Sequence, residues 1–149
     1  MMQAIPSHIS QFIQQNHVVN FATYGANDFW AANCFYAFDA EQARLIILTS
    51  KNTRHSQLML ENPHIVGTIS TQVETLSEIE GIQFSAQSCC LTDTMERQKA
   101  LAFYYARHPI ARLKQSDVWE LRFDMIKHTG NKLVFAKKTI WERDKTPLL

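Results

Sequence analysis

The chain has 149 residues, a formal net charge of +1 and 46% hydrophobic residues. This length predicts a single domain, 1–149, that buries roughly two-thirds of its unfolded surface. Because acidic and basic residues are mixed along the chain, no nucleic-acid partner is expected. No apolar window approaches the ~20 residues of a membrane span, and the N-terminus lacks a signal-peptide pattern. Three cysteines predict no disulfide framework, so we expect a cytoplasmic protein without a membrane partner.

Hydrophobic periodicity and turn residues divide the first half of the chain into short elements. The run at 44–49, "RLIILT", is continuously apolar, as expected for a strand that is buried on both faces. The helix that follows should end at Asn62, because Pro63 disfavours a helical residue before it. The predicted elements are a helix from Ser7 to about Asn16, hairpin strands at 18–24 and 29–38 around a turn at 25–28, the strand at 44–49, a helix from about Thr53, and a strand at 65–70.

Two strands in the second half show alternation of apolar and polar side chains. In the strand at 118–126, this pattern places Trp119, Leu121, Phe123 and Met125 on one face. Asp93 precedes Glu96 by three residues, which is the spacing of a capping box. The predicted elements are strands at 79–91 and 118–126, a helix from Asp93 to His108, a turn at 128–131 and a final strand at 133–141.

This order of elements predicts the fold class. About seven strands, three helices and mostly hairpin connections indicate an α+β protein that is mainly β. A barrel is favoured because closing an antiparallel sheet protects its edges.

Most catalytic and metal-binding motifs are absent from the sequence. The six histidines have no HExxH or HxxxH spacing and no CxxC pair occurs, so no metal site is predicted. No GxSxG, Walker or GxGxxG motif is present. Cys89 and Cys90 are more simply one buried and one exposed thiol than a reactive pair, because no cation flanks them. Catalytic residues therefore stay unassigned.

The stretch "TSKNTRH" at 49–55 is the one candidate for a binding site. It opens a helix, where free backbone N–H groups and the helix dipole favour an anion. Thr49 and Ser50 add hydroxyl donors. Arg54 adds a planar cation that fits two phosphate oxygens, and His55 can donate a hydrogen bond when protonated. The residues leave open a second interpretation, in which these groups are a solvated cap on a surface helix.

The order of these features resembles the pyridoxamine 5'-phosphate oxidase-like FMN-binding split barrels, and more closely a small bacterial branch of that superfamily. In the superfamily, a strand ending in Thr or Ser is followed by a turn, two basic residues and a helix ending in Asn-Pro. The corresponding residues here are Thr49-Ser50, Arg54-His55 and Asn62-Pro63, followed after a loop by "EGIQFSAQ". The similarity covers essentially the whole chain.

The resemblance implies a six-stranded antiparallel split barrel with flanking short helices. It also implies a homodimer with one flavin mononucleotide (FMN) in each cleft between subunits. The residues implied in cofactor binding are Thr49, Ser50, Arg54 and His55 at the phosphate, and Ile82, Gln83 and Asn33 at the isoalloxazine ring. For Gln83, a solvated position on a strand face is the alternative. Glu80 would repel the phosphate unless it points into solvent or pairs with a cation such as Lys51.

Three functions are compatible with these features. The first is an FMN-dependent oxidoreductase acting on an unidentified small molecule. The second is a flavin- or haem-binding module without turnover. The third is a cofactor-free structural or interaction protein that keeps the barrel. No sequence feature specifies a substrate or an electron donor.

Overall fold

The computed structural model describes residues 2–130 and 137–144, and the elements given below belong to this part of the chain. The helices are α1 (Ser7–Gln15), α2 (Arg54–Glu61) and α3 (Thr94–Arg107). The strands are β1 (Val18–Gly25), β2 (Asp28–Phe35), β3 (Ala37–Asp39), β4 (Arg44–Leu48), β5 (His64–Ser70), β6 (Glu80–Cys90), β7 (Val118–Gly130) and β8 (Lys137–Glu142). Two short 3-10 segments lie at Leu76–Glu78 and Pro109–Leu113.

The strands form one antiparallel sheet in the order β2-β1-β5-β6-β7-β4-β3, with β8 also paired to β7. β7 is central to this arrangement, because it pairs with β6, β4 and β8. Its first half pairs with β4 and its second half with β8, so one edge of β7 has two different neighbours along its length. This change of partners gives the sheet the split-barrel layout.

The inner face of the sheet encloses the main core. Val19, Ile47, Phe84 and Phe123 are buried there, one from each of four strands. The apolar stripe of α1 packs against the same core through residues such as Phe12. Burial of each large apolar side chain contributes about 1.5–3 kcal/mol relative to its exposure.

A second, smaller core lies on the outer face of the sheet. There α3 packs over β4 and the start of β7, and Ala100 and Tyr104 meet Ile46 and Val118. The outer face of β1, β2, β5 and β6 carries no helix among the described elements. Side chains on that part of the face are therefore open to a ligand or a partner.

Local sequence signals account for several element boundaries. The Asp93 carboxylate accepts a hydrogen bond from the Glu96 N–H at 3.1 Å, which confirms the predicted cap of α3. The β1–β2 turn uses positive φ values at Ala26 and Asn27, 47° and 59°. This backbone twist suits a tight hairpin.

The mainly-β antiparallel class is confirmed, whereas the number of strands is wrong. The described residues form eight strands, neither the six of the split-barrel expectation nor the seven predicted from the sequence pattern, because the predicted strand at 29–38 divides at Tyr36. Tyr36 leaves the ladder to donate its hydroxyl to the Ile13 carbonyl at 2.7 Å. The turn predicted at 128–131 is also wrong for 128–130, which belong to β7. Residues 131–136, which include part of the predicted last strand, lie outside the described residues.

Candidate functional site

Thr49 and His55, two of the predicted phosphate ligands, are hydrogen-bonded to each other. Thr49 Oγ1 lies 2.8 Å from His55 Nε2. The His55 ring packs edge-on against Phe21, with 5.7 Å between the ring centroids. Burial lowers the pKa of His55 from its ordinary value, because desolvation disfavours the imidazolium form. At neutral pH, His55 is therefore a neutral partner of a buried hydroxyl group.

Arg54, the predicted cation of the site, has an anionic partner in the same chain. Its Nη2 lies 2.6 Å from Asp28 Oδ2, and its guanidinium lies 3.9 Å from the centroid of the Trp30 ring. Asp28 and Trp30 both belong to β2, so Arg54 connects the start of α2 to the hairpin. Both charged side chains are about half exposed, which limits this ion pair to about 0–1 kcal/mol. A phosphate can therefore compete for the guanidinium.

The hydroxyl groups of the stretch 49–55 line a polar cavity of about 630 Å³. The side chains that contribute to its wall include Thr49, Ser50, Thr53, Arg97 and Lys114. Ser50 Oγ accepts the Asn52 N–H at 3.1 Å, and Thr53 Oγ1 accepts the Ser56 N–H at 3.2 Å. Arg54 and His55 do not line this cavity. Of the four predicted phosphate ligands, Thr49 and Ser50 therefore line the cavity, whereas Arg54 and His55 lie outside its wall.

Asn33 and Gln83 belong to one row of side chains across the outer face of the sheet, here called the amide row. Strand register places Asn33 opposite Asn20, Asn20 opposite Thr68, Thr68 opposite Gln83, and Gln83 opposite Lys127. Alternate residues of a strand share a face, so the five side chains point the same way. With about 4.8 Å between strands, the row extends over about 19 Å.

A cavity of about 540 Å³, here called the trough, lies over four members of the amide row, all but Asn33, and over the row beside it. The second row is mostly apolar and consists of Ala31, Ala22, Val66, Ser85 and Met125. At Gly67 the floor needs glycine, because a Cβ atom would lie 2.4 Å from the Asn20 carbonyl oxygen and 2.5 Å from Phe84 Cζ. An apolar floor edged by amides suits a planar ring with polar edges.

Ile82 and Glu80 lie on β6 but do not contribute side chains to the trough. Ile82 is 2% exposed and belongs to the inner core, since it alternates with the outward-facing Gln83. Glu80 does not depend on Lys51 for a partner, because its Oε2 lies 3.0 Å from His128 Nε2. The His128 ring also packs against Phe12 of α1.

A β-bulge in β7 changes which side chains reach the outer face. Ser85 pairs with Met125 whereas Ala86 pairs with Phe123, so Asp124 is an extra residue on β7. Met125 consequently faces outward and is 38% exposed. The prediction that it shares a face with Phe123 is wrong for this reason. The sequence offers only an indirect sign of the bulge, because apolar and polar residues alternate from Trp119 to Met125 and are then followed by a second apolar residue, Ile126.

The bulge also creates a hydrogen-bonded group that the sequence analysis missed. Gln87 Nε2 lies 3.1 Å from Asp124 Oδ2 and 2.7 Å from His64 Nδ1. The three residues come from β5, β6 and β7, and they are far apart in sequence. Only the strand register reveals that they meet.

The described parts of the chain offer little support for other chemistries. They contain no group of three or more His, Cys, Asp or Glu residues arranged to hold a metal ion. Their thiols are poor nucleophiles at neutral pH, since burial raises the pKa of Cys34 to about 11 and also raises the pKa of Cys89 and of Cys90. None of their helices combines the length and apolarity that a membrane crossing requires.

Comparison with solved structures finds the same fold in other bacterial proteins. The haem storage protein HutZ from Vibrio cholerae aligns with a TM-score of 0.66 and 14% identity, over 95% of this chain and 96% of HutZ. An FAD-binding protein from Mesorhizobium loti aligns with a TM-score of 0.65 and 11% identity, over 86% of this chain and 96% of that protein. At these identities the similarity shows a shared fold.

Sequence comparison then gives the family. No family model matches the chain. A UPF0306 protein from Haemophilus ducreyi is 64% identical over 144 residues, which are 95% of this chain and 98% of that protein. A UPF0306 protein from Yersinia pseudotuberculosis is 41% identical over 135 residues, 91% of each chain. The chain belongs to the UPF0306 family.

Proposed function

We propose that this protein is a cofactor-binding split barrel that carries FMN at its open outer face. The amide row beside the apolar trough is the observation that carries the proposal. Gln83 and Asn20 offer amide donors and acceptors at the edge of the apolar floor, and Asn33 extends the amide row beyond the wall of the trough. The Mesorhizobium loti neighbour, described as an FAD-binding protein, is consistent with a flavin on this fold.

The phosphate of FMN is proposed to bind at the stretch 49–55. Arg54 would exchange its exposed contact with Asp28 for the phosphate, and Ser50 would donate its hydroxyl. Thr49 and His55 would contribute through the hydrogen bond that they share. A dianion beside His55 would favour its protonated form, because an opposite charge raises the pKa of an imidazole.

A homodimer is part of the same proposal. The trough and the cavity at 49–55 have no lining residue in common, so one chain does not by itself enclose a ligand that needs both. Large apolar side chains are exposed around the trough, including Phe29 at 71%, Val66 at 57% and Ile140 at 58%. Exposed apolar groups in such number are typical of an interface. A second copy would cover them and form a cleft.

Bound flavin would supply hydride or electron transfer to an unidentified small molecule. The chain's own groups would bind and orient the cofactor, with the amide row setting the hydrogen bonds at the ring edge. No described residue is assigned a proton-transfer role at the ring. An oxidoreductase is therefore the proposed activity, and a binding module without turnover is its alternative.

Haem is the second candidate cofactor, since HutZ is described as a haem storage protein. The apolar floor of the trough would accept a macrocycle as readily as a flavin. The polar amide row favours FMN, because a haem presents hydrocarbon at most of its edge.

Visible absorption of the purified protein, followed by titration of the apo form with FMN and with haemin, tests the proposal. We expect one FMN per chain. Gln83→Leu should weaken FMN several-fold, as for loss of one hydrogen bond of about 0.5–1.5 kcal/mol. The exposed loop residue Gln72 gives the control, Gln72→Leu, which should bind as wild type does. Binding of haemin but not FMN would identify haem as the cofactor instead of FMN. Binding of neither would reject a cofactor function.

A further inference from the structure

A second cavity of about 460 Å³ adjoins the trough on the same outer face. The two cavities share three lining residues, Ala22, Val66 and Ser85. A ligand in the second cavity would therefore lie beside a ligand in the trough, with only a small-residue floor between them. The chemistry of the second cavity is different, because acidic and imidazole side chains line it.

The bulge in β7 is what brings a carboxylate to this cavity. Phe123 points into the inner core and Met125 points outward, and the extra residue between them, Asp124, lines the cavity. Its Oδ2 accepts one hydrogen bond, from Gln87 Nε2 at 3.1 Å. Its Oδ1 has no hydrogen-bond partner among the described residues and remains an acceptor. Bulges of this kind commonly redirect a side chain next to a functional site.

Gln87 also fixes the tautomer of His64. The Gln87 NH₂ group has two protons and no lone pair for accepting, so it donates both to Asp124 Oδ2 and to His64 Nδ1, 2.7 Å away. Nδ1 must then be the unprotonated nitrogen of a neutral ring, and Nε2 must carry the proton. Reversing the Gln87 amide would place its oxygen against the Asp124 carboxylate, which disfavours that orientation. His64 therefore presents a fixed Nε2–H donor.

Two aromatic residues provide the apolar wall of the cavity. Tyr24 and Phe29 pack together at the end of the hairpin, with ring centroids 4.5 Å apart and planes inclined by 34°. Both line the cavity, and Phe29 is 71% exposed. Such a pair offers a surface on which a planar ring can pack.

We propose that this second cavity binds a neutral aromatic amide, a planar ring that carries one carbonyl oxygen beside one N–H group. The ring packs on Tyr24 and Phe29. The ligand's carbonyl oxygen accepts the His64 Nε2–H, and its N–H donates to Asp124 Oδ1. A ring with a carboxylate in place of the amide is rejected, because Asp124 repels the negative charge. With FMN in the trough, as proposed above, this aromatic amide would be the second reactant beside the flavin.

The test uses the full-length protein without added cofactor, so that its result is independent of FMN binding. Nicotinamide and nicotinate are the probes, because they differ only in replacement of the amide by a carboxylate. Titrations are followed by the backbone amide resonances of Ala22, Ser85 and Gln87. Long-range ¹H–¹⁵N spectra of the imidazole report the His64 tautomer.

We expect nicotinamide to bind about tenfold more tightly than nicotinate, a difference of about 1.4 kcal/mol. Asp124→Asn should bring the two affinities close together, since it keeps the side-chain shape and removes the charge. His64→Phe should weaken nicotinamide several-fold. His17→Gln, at an exposed histidine on a different part of the surface, is the matched control and should change neither affinity.

Three results would overturn the proposal: no shift at the cavity resonances with nicotinamide, equal affinity for both probes in wild type, or an Nδ1–H tautomer at His64. If the Phe123 and Met125 amides show that Asp124→Asn has altered the bulge, His64→Phe decides the outcome alone. Loss of FMN binding with retained nicotinamide binding would reject the proposed function and leave this inference standing.

Discussion

Arg54 pairs with Asp28 and lies over Trp30 at the place where a phosphate is proposed to bind. The ion pair is exposed, so it is weak and reversible. A dianionic phosphate, which offers two oxygens to the planar guanidinium, is the stronger partner. Asp28 thus competes with the phosphate for the Arg54 guanidinium. Substitution of Arg54 should weaken phosphate binding, and substitution of Asp28 should strengthen it.

Arg54→Ala should weaken FMN binding by about 1.5–3 kcal/mol, as for loss of a hydrogen bond to a charged group. Asp28→Asn should strengthen it by up to about 1 kcal/mol, because the competing charge is removed. Fluorescence titration with FMN measures both changes. Equal affinities in wild type and Arg54→Ala would remove the stretch 49–55 from the phosphate site.

Arg44 is a buried charged residue that holds two carboxylates. It is 1% exposed and lies 2.9 Å from both Asp39 Oδ2 and Glu120 Oε2. Its Nη2 is a buried donor without a hydrogen-bond partner among the described residues. Arg44→Met would leave two carboxylates without their cation, which should cost about 3–5 kcal/mol of unfolding free energy.

Urea denaturation measures this loss. Arg122→Met is the matched control, because Arg122 is the exposed residue paired with Arg44 across β4 and β7. It should change stability by no more than about 0.5 kcal/mol. Similar midpoints for the two variants would contradict a structural role for the buried ion pairs.

Acid should destabilise the protein through His55. Its pKa is lowered by burial in the folded state, so the unfolded chain, with a pKa of about 6.5, binds the proton first. Stability is therefore complete above about pH 6.5 and declines as the pH falls toward the lower folded value. His55→Gln should flatten this decline in urea melts between about pH 5 and pH 8. An unchanged slope would indicate that folding does not shift the pKa of His55.

At the scale of the strands and helices, the sequence predicted what short-range patterns encode. The strand at 44–49 was expected to be buried on both faces, and Ile46 and Ile47 do enter two different cores. The cap at Asp93 was likewise predictable from spacing. The bulge at Asp124 was not predictable, because it depends on how β7 is matched to β6, and the adjacent apolar residues Met125 and Ile126 do not locate it.

Gly67 tests how closely β1 and β5 must approach. A Cβ atom there would lie 2.4 Å from the Asn20 carbonyl oxygen, so Gly67→Ala must push the strands apart. Overpacking of this kind costs about 1–3 kcal/mol, and it should also widen the trough and weaken FMN. At Gly81 the nearest atom would lie 3.1 Å away, so Gly81→Ala is the milder control. Thermal melts that rank the two variants in the reverse order would contradict this packing.

At the scale of the whole molecule, the exposed apolar face predicts self-association. Val66 is 57% exposed at the trough, and Leu113 is 85% exposed on the 3-10 segment after α3. Val66→Glu should convert the proposed dimer to monomer, because a charge would be buried at the interface. Leu113→Glu should not. Light scattering after size-exclusion chromatography distinguishes the outcomes, and a dimeric Val66→Glu protein would place the interface elsewhere.

The candidate site was only partly predictable from the sequence. The phosphate stretch could be proposed because its residues are consecutive. Asn33 and Gln83 could be proposed only through a family resemblance, and their common row depends on three strand pairings. His64, Gln87 and Asp124 were missed altogether, since residues that meet only through strand register leave no local pattern.

The pairing of β7 with three other strands has a consequence for folding during synthesis. β4 is complete at Leu48, yet its partner in β7 begins at Val118, roughly 70 residues later. At about 5–20 residues per second, a ribosome needs several seconds to add that length. Throughout that interval one edge of β4 has no native neighbour and is open to other chains. The sheet therefore cannot be completed until the C-terminal third of the chain has been synthesised. A chain truncated before β7 should be captured by chaperones while it emerges from the ribosome.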